Sequence, residues 1–305
     1  MIKNKSIISI DDIDKSDIFE VFDVADEMLG KIEKGGNTDL MKSKIMATLF
    51  YEPSTRTRLS FESAMHRLGG SVISVSDVKT SSVAKGETLA DTVRMASSYS
   101  DIIVIRHPLE GAARLASRFT SKPVINAGDG SGQHPTQTIL DLYTIRKELG
   151  KIDGNTITMV GDLRYGRTIH SLIMALSDFD VKINLVSPPI LKLPGYVYSM
   201  LPDHNNIKEV NSLSDVIGDT DVLYVTRIQK ERFSDQNEYQ SVIGSYSITP
   251  ETVSKMKDKS IIMHPLPRID EISPEIDQKP QARYFRQAYY GVPVRMALIY
   301  MILGD

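Results

Sequence analysis

A cluster of hydroxyl and guanidinium groups in the first third of the chain has the composition of an anion-binding site. It consists of Ser54, Thr55, Arg56, Thr57 and Arg58. The cluster follows an apolar run and precedes a segment whose apolar residues recur at helical spacing, so a strand-to-helix turn is predicted. The unpaired N–H groups of a first helical turn attract anions, and the planar fork of arginine matches phosphate oxygens. The cluster therefore predicts a phosphate site.

Other polar clusters also follow predicted strands. They are Arg106-His107-Pro108, Gly128–Gln137, Arg164–Thr168, Arg227-Ile228-Gln229 and His264–Arg268. Ligands of open parallel sheets bind beyond the carboxyl ends of the strands. We therefore expect these clusters to face one shared cleft.

The elements that must position these side chains alternate along the chain. The predicted strands are Ile45–Phe50, Ser71–Val75, Ile102–Arg106, Pro123–Ala127, Thr156–Gly161, Lys182–Val186, Ile207–Val210, Val222–Thr226 and Ile261–His264. Amphipathic segments between them, such as Leu89–Tyr99, Thr136–Leu149 and Thr168–Phe179, are predicted helices. This alternation predicts an α/β fold of two doubly wound domains with mainly parallel sheets, joined by interdomain helices.

The predicted domains are residues 1–150 and 151–283, with the break at the Gly150–Gly154 segment. A final helix, within residues 284–305, is expected to pack back on the first domain. Arg295 lies on this helix, on the face of Tyr289, Val292, Met296 and Ile299, and is expected to form a structural ion pair.

Composition excludes several classes of protein and of site. The 305 residues carry a net charge of -3, which argues against a general nucleic-acid binder. The absence of cysteine excludes disulfides, a cysteine-ligated zinc site and a cysteine nucleophile. The histidines lack metal-ligand spacing, so neither a metal nor a cofactor is predicted. With no apolar run long enough to span a membrane and no signal-peptide pattern, the cytoplasm is the predicted location.

Two glycine-rich stretches keep a nucleotide-binding enzyme open as an alternative. Gly161–Thr168 nearly fits a phosphate-binding loop, but Arg167 stands where lysine is required. Gly128–Gly132 follows a strand without the full dinucleotide-binding spacing. Two further candidates, His134 and Lys85, are individually ambiguous, because a lone histidine is usually structural and a lone lysine is usually a solvated surface residue.

Considered together, the motifs resemble the catalytic chains of the aspartate/ornithine carbamoyltransferase family, in family order over essentially the whole chain. They are Ser54–Arg58, Lys85-Gly86-Glu87-Thr88, Arg106-His107-Pro108, His134-Pro135-Thr136-Gln137, Arg164–Thr168, Arg227-Ile228-Gln229 and His264–Arg268. Ornithine enzymes carry an H-C-L-P motif, whereas this chain has His264-Pro265-Leu266-Pro267 and no cysteine, which favours aspartate as acceptor. A transcarbamoylase for another amino acid such as ornithine, and a non-catalytic relative, are the alternatives. Only the second lysine of the family's pair is kept, in Ala84-Lys85.

The resemblance implies transfer of a carbamoyl group from carbamoyl phosphate to L-aspartate, an early step of pyrimidine synthesis. The implied carbamoyl-phosphate contacts are Ser54, Thr55, Arg56, Thr57, Ser81, Lys85, Arg106, His134, Gln137, Pro265 and Leu266. The implied aspartate contacts are Lys85, Arg167, Thr168, Arg227 and Gln229. The implied catalytic residues are Arg56, Thr57, Lys85, Arg106 and His134.

The resemblance also implies an assembly. Family members form homotrimers in which a neighbouring chain's serine and lysine, matched here by Ser81 and Lys85, complete each site. Some join zinc-containing regulatory chains in a larger, dodecameric allosteric assembly, and the segment Glu110–Leu115 resembles that regulated type.

Overall fold

The computed structural model describes residues 2–76, 82–233 and 235–304. The chain divides into two compact units: unit 1 is Met1–Tyr143 with Tyr289–Asp305, and unit 2 is Thr144–Ala288. The strands are β1 (Ile45–Phe50), β2 (Ser71–Val75), β3 (Ile102–His107), β4 (Val124–Asp129), β5 (Thr156–Val160), β6 (Lys182–Val186), β7 (Ile207–Val210), β8 (Val222–Val225) and β9 (Ile261–Met263). The α-helices are α1 (Lys15–Glu33), α2 (Thr55–Arg67), α3 (Leu89–Tyr99), α4 (Ala112–Ser117), α5 (Pro135–Leu149), α6 (Arg167–Leu176), α7 (Gly195–Met200), α8 (Gln236–Val242), α9 (Pro250–Ser254) and α10 (Tyr284–Leu303).

Each unit is built on one parallel sheet. The strand order is β2-β1-β3-β4 in unit 1 and β7-β6-β5-β8-β9 in unit 2, and every pair of strands runs parallel. In each sheet the chain moves outward on one side of its first strand and then returns to the other side. The switch points therefore lie between β1 and β3 and between β5 and β8. The two parallel α/β sheets confirm the predicted fold class.

The central strands are mostly apolar and buried because helices cover the faces of a parallel sheet, whereas the edge strands β2 and β7 also carry polar residues. In each unit, strand residues pack against other buried apolar residues in a hydrophobic cluster. The unit 1 cluster includes Leu49, Ile103 and Ile105 with Val93 of α3 and Ala113 of α4. The unit 2 cluster includes Val160, Val186, Leu223, Val225 and Ile262.

The nine predicted strands are all present, with ends that differ by at most two residues. The predicted helices Leu89–Tyr99 and Thr136–Leu149 are confirmed as α3 and α5, and the predicted final helix is confirmed as α10. However, α6 ends at Leu176, whereas the pattern predicted Phe179. It ends there because the Ser177 hydroxyl bonds the Met174 carbonyl at 2.6 Å and competes with further helical turns. No helix in the described part of the chain is long and apolar enough to cross a membrane.

The end of α2 depends on one glycine. Gly69 adopts a φ of +84°, and its N–H donates to the His66 carbonyl at 3.0 Å. A Cβ at this position would lie 2.5 Å from the Thr38 carbonyl oxygen. Only glycine satisfies both the left-handed backbone and this close approach.

The predicted ion pair of Arg295 is wrong. Its side chain is 3% exposed, and no carboxylate in the described ranges lies within salt-bridge distance. Instead, Nη1 donates to the Ser60 hydroxyl at 2.9 Å, and the guanidinium lies 4.9 Å from the centre of the Phe61 ring. Because both partners belong to α2, Arg295 joins α10 to that helix inside unit 1.

Candidate active site

Three neighbouring strand ends bring the predicted phosphate and carbonyl contacts of unit 1 to one edge of its sheet. β1, β3 and β4 are adjacent, and they lead into Ser54–Thr57, Arg106 and His134 respectively. Phe50 lies opposite Arg106 in the β1–β3 register. The Tyr51 N–H then donates to the Arg106 carbonyl at 2.8 Å, so the β1 and β3 ends are joined directly before α2 begins.

The first turn of α2 offers donors that no residue in the described ranges satisfies. Ser54 is the N-cap residue with an extended backbone (φ -160°), yet its hydroxyl makes no capping hydrogen bond. The first turn holds no acidic side chain, and Thr57 is 9% exposed. A helix start with free N–H groups, nearby hydroxyls and no local carboxylate favours an external anion.

Arg56 supplies the positive charge at this turn. Its side chain is exposed, and it forms no hydrogen bond or ion pair with any residue in the described ranges. Protein atoms around the guanidinium lower the pKa of Arg56 by desolvation, but arginine keeps its charge at neutral pH. An uncompensated cation at a helix N-terminus is suited to a phosphate group.

Arg106 is held from two sides. Nη1 donates to the Ala127 carbonyl of β4 at 3.2 Å, and Nη2 contacts Glu52 Oε1 at 3.1 Å. Its side chain is only 11% exposed. These contacts fix the guanidinium between the β4 edge and the segment that leads into α2.

His134 and Gln137 lie at the start of α5. The buried His134 accepts the Gln137 N–H through its backbone carbonyl at 2.9 Å, and Pro135 is the first helical residue, as predicted. The Gln137 side chain is 9% exposed, and its Nε2 donates to Asp141 Oδ1 at 2.9 Å. The NH₂ end of the Gln137 amide is therefore held by a residue of the same helix.

A second set of strand ends gathers the predicted unit 2 contacts. β5, β8 and β9 are adjacent, and they lead into Arg167-Thr168, Arg227–Gln229 and Pro265-Leu266. Arg167 and Thr168 open α6, whose first turn contains no acidic residue. The guanidinium and N–H groups at this edge suit carboxylates as ligands.

Asp162 organises two of these loops. It is fully buried; its Oδ1 accepts the Tyr165 N–H at 2.9 Å, and its Oδ2 accepts the Gln229 N–H at 3.4 Å. The Gln229 side chain also donates to the Tyr165 carbonyl at 3.2 Å. Burial raises the pKa of Asp162, against the opposing hydrogen bonds and the charge of Arg227.

Gly161 and Gly130, from the two glycine-rich stretches, allow close approach between neighbouring loops. Gly161 has φ +117°, and a Cβ there would lie 2.2 Å from the Thr226 carbonyl oxygen. Gly130 has φ +51°, and its Cβ would lie 2.7 Å from the Glu110 nitrogen. These contacts account for the glycines through loop packing, so the nucleotide alternative gains no support from the structure.

A buried histidine and glutamate shape the loop after β9. The Leu266 N–H donates to His264 Nδ1 at 2.8 Å, so the proton of the neutral ring lies on Nε2, 2.6 Å from Glu271 Oε1. Glu271 Oε2 accepts the Ile269 N–H at 3.0 Å. Leu266 has φ +56°, a costly conformation for a non-glycine residue that this network holds in place.

We expect this network to make stability depend on pH. Burial lowers the pKa of His264, with Glu271 opposing and Arg227 and Arg268 reinforcing the shift. The pKa of a histidine in an unfolded chain is about 6.5. Below that pH the unfolded state binds the extra proton, so the free energy of unfolding should fall between pH 7.5 and 5.5. Urea titrations at both values measure the difference.

His264→Gln should show a smaller loss of stability over this interval than the unmodified protein. His66→Gln, at an exposed position in α2, is the matched control and should keep the full loss. An unchanged loss in His264→Gln would contradict the assignment of a neutral buried imidazole.

One predicted contact, Lys85, is not brought into either cluster. Lys85 ends a short 3-10 helix, Ser82–Lys85, with an exposed side chain and no contact to the α2 cluster among the described residues. Ser81 lies outside the described residues. No group of three or more histidine, aspartate or glutamate side chains in the described ranges is arranged to hold a metal ion.

The sequence analysis missed the carboxylates that orient the clusters. These are Glu52, Asp141, Asp162 and Glu271, which contact Arg106, Gln137, the Gln229 loop and His264 respectively. Glu52 lies two residues before the Ser54–Arg58 motif, and Asp162 lies within Gly161–Thr168. This proximity to the motifs could have identified both carboxylates from the sequence. Asp141 and Glu271 sit among apolar or loop residues with no distinguishing pattern.

Comparison with known proteins gives a consistent relationship. Residues 5–147 match the family model "Aspartate/ornithine carbamoyltransferase, carbamoyl-P binding domain", and residues 153–302 match the "Asp/Orn binding domain" model. The aspartate carbamoyltransferase catalytic subunits of Thermoplasma volcanium and Thermoplasma acidophilum are 81% and 78% identical to this chain, each over the full length of both.

Solved structures give the same relationship. The aspartate transcarbamoylase of Trypanosoma cruzi, in complex with carbamoyl phosphate and aspartate, matches with a TM-score of 0.96 and 43% identity, over 99% of this chain and 98% of that one. The catalytic subunit of M. jannaschii aspartate transcarbamoylase matches with a TM-score of 0.90 and 57% identity, over 97% of each chain. Matches of this extent and identity mean that the chain belongs to the aspartate/ornithine carbamoyltransferase family.

Proposed function

We propose that this protein transfers the carbamoyl group of carbamoyl phosphate to the α-amino group of L-aspartate, giving N-carbamoyl-L-aspartate and phosphate for pyrimidine synthesis. Relatives that are 81% and 78% identical are aspartate carbamoyltransferases. A solved relative of the same fold binds carbamoyl phosphate and aspartate. The chain also lacks the cysteine of the ornithine motif.

The start of α2 is the observation that carries the proposal. There the Ser54 hydroxyl, which caps no helical N–H, lies with the buried Thr57 and the cationic Arg56 beside free helical N–H groups. We assign Ser54–Thr57 to the phosphate group of the substrate. Phosphate charge is best held by preorganised donors, which need no rearrangement during the reaction.

The carbonyl and the amide of the carbamoyl group need opposite partners. We assign Thr55, Arg106 and His134 as donors to the carbonyl oxygen, where negative charge develops as the amine attacks. Arg106 is already fixed by its contacts with Glu52 and β4. The carbamoyl NH₂ requires acceptors, and we assign the Gln137 carbonyl oxygen and the backbone carbonyls of Pro265 and Leu266.

For the second substrate we assign the cationic edge of unit 2. Arg167 and Arg227 each suit one carboxylate of aspartate, because a bidentate pair fixes orientation as well as charge. Gln229 and Thr168 add polar contacts. Asp162 holds the Gln229 loop and the loop before Arg167 in register, so the arginines are presented from ordered loops.

The chemistry follows from these placements. The amine of aspartate attacks the carbonyl carbon, negative charge builds on the carbonyl oxygen, and phosphate leaves with the C–O bond electrons. Arg56 stabilises the departing phosphate, while the donors to the carbonyl oxygen lower the barrier to attack. The departing phosphate is itself a base within reach of the amine proton.

The proposal includes an assembly and a location. We infer a cytoplasmic homotrimer in which Lys85 and Ser81 of one chain serve the site of its neighbour; Lys85 also contacts the aspartate. The exposure of Lys85 and its lack of a described partner support such a role. Zinc-containing regulatory chains in a dodecameric, allosteric assembly are the extended form of this proposal.

An acceptor assay tests the function directly. The purified protein, with carbamoyl phosphate, should release phosphate when L-aspartate is supplied and should form N-carbamoyl-L-aspartate. L-ornithine at the same concentration should give little turnover, because the carboxylate-binding arginines would face an ammonium group. Preference for ornithine, or no turnover with either amino acid, would reject the proposal.

A further inference from the structure

The orientation of the Gln137 side chain is set by a buried carboxylate. Gln137 Nε2 lies 2.9 Å from Asp141 Oδ1, one helical turn further along α5. An ionised carboxylate can only accept, so the NH₂ end of the amide must point towards it. The carbonyl end, Oε1, then points the other way, and no residue in the described ranges donates to it.

Burial of a carboxylate at the position of Asp141 is expected to cost folding free energy. The Asp141 side chain is fully buried within unit 1, and that of Arg295 on α10 is nearly so. Arg295 forms no salt bridge with the described residues, but Asp141 is near enough to favour its charged form. Burial lowers the pKa of Arg295 to about 10, and the charge of Asp141 opposes the shift.

The cost of these two buried charges calls for a role other than packing. A buried pair of charges rarely stabilises more than well-packed apolar side chains of similar volume. What Asp141 does provide is a fixed hydrogen-bond acceptor, one helical turn from an amide whose two ends have opposite hydrogen-bonding character. Arg295 also bonds Ser60 of α2, which ties the arrangement to the helix that carries the phosphate cluster.

We propose that Asp141 is a positioning residue that selects carbamoyl phosphate, because it holds Gln137 with its carbonyl oxygen towards the substrate NH₂. This inference rests on the proposed function, in which Gln137 accepts from the carbamoyl group. Without Asp141 the amide could turn over and present its NH₂ end, placing two donors against each other. Selectivity for an NH₂ group over a methyl group would then be lost.

Acetyl phosphate provides the test, since it has a methyl group in place of the carbamoyl NH₂. The measurement is the ratio of kcat/KM for carbamoyl phosphate to kcat/KM for acetyl phosphate, with L-aspartate as acceptor. An asparagine side chain can either accept or donate, so Asp141→Asn should lower this ratio by about tenfold, the effect of one misplaced hydrogen bond. In a Gln137→Leu background, Asp141→Asn should change the ratio no further.

The control is Asp26→Asn. Asp26 accepts a hydrogen bond from Tyr143 of α5 at 2.6 Å, so the substitution disturbs the same helix without contacting Gln137, and the ratio should stay as in the unmodified protein. A folded Asp141→Asn protein with an unchanged ratio would overturn the proposal. So would an equal further loss in the Gln137→Leu background, since Asp141 would then act by another route.

A second measurement uses the unmodified protein, in case Asp141→Asn does not fold. A crystal structure with phosphonoacetamide, whose amide copies the carbamoyl group, should place the ligand nitrogen within hydrogen-bond distance of Gln137 Oε1. A ligand nitrogen bonded elsewhere would overturn the proposal. Absence of aspartate carbamoylation by the unmodified protein would instead reject the proposed function, so the two failures are distinguishable.

Discussion

Arg56→Ala should lower turnover with carbamoyl phosphate and L-aspartate by about a hundredfold or more, the usual effect of removing a preorganised donor to developing charge. Arg56 lies in the first turn of α2, where the helix adds N–H groups and no acidic side chain. The alanine variant keeps those N–H groups but loses the only formal positive charge of the Ser54–Thr57 cluster. Steady-state kinetics with both substrates saturating measures the effect.

Two further variants sharpen this prediction. Arg56→Lys keeps the charge but not the planar fork, so it should recover only part of the loss. Arg67→Ala removes an arginine from the last turn of the same helix and should leave turnover near that of the unmodified protein. Since Arg56 is exposed, its removal should not unfold the protein. Normal circular dichroism with nearly normal turnover in Arg56→Ala would contradict the phosphate assignment.

The strands were predictable because burial on both faces leaves a simple trace in the sequence. β1 and β3 are mostly apolar, polar residues come at or just after their ends, and the structure places those ends side by side. Helix ends were less predictable. The end of α6 depends on the competing hydrogen bond of Ser177, which apolar periodicity does not record.

The residues of the candidate site divide in the same way. The placement of donor clusters such as Ser54–Thr57 was predictable, because polar residues that directly follow an apolar strand-like run lie at the end of that strand. The carboxylates that orient them were not. Glu52 contacts Arg106 across 54 residues of sequence, and Asp162 contacts Gln229 across 67. In addition, the sequence does not distinguish a buried aspartate or glutamate from a solvated one.

Arg295 shows most clearly which contacts a sequence pattern does not predict. Apolar neighbours on its helix face predicted burial, and burial of a charge usually requires an ion pair. The structure instead gives it a hydroxyl, an aromatic ring and the more distant charge of Asp141. Which partner neutralises a buried arginine depends on helix packing, and no local pattern encodes that packing.

Lys85→Ala should almost abolish activity, although the single chain gives no reason for such an effect. Lys85 ends a short 3-10 helix with its side chain exposed, and removal of a solvated lysine ordinarily changes little. In the proposed homotrimer, however, this ammonium group completes the site of a neighbouring chain. Lys42→Ala, at another exposed position of unit 1, is the matched control and should leave turnover unchanged.

Mixed trimers distinguish this shared site from a role within one chain. In a closed ring each site takes Arg56 from one chain and Lys85 from the next, the head-to-tail arrangement of a cyclic oligomer. If inactive Lys85→Ala and Arg56→Ala chains are exchanged at random in equal amounts, about a quarter of the sites pair two intact residues. Activity should therefore return to about a quarter of the unmodified level. If both residues served the site of their own chain, no combination would restore it, so well-formed hybrids without activity would exclude the shared site.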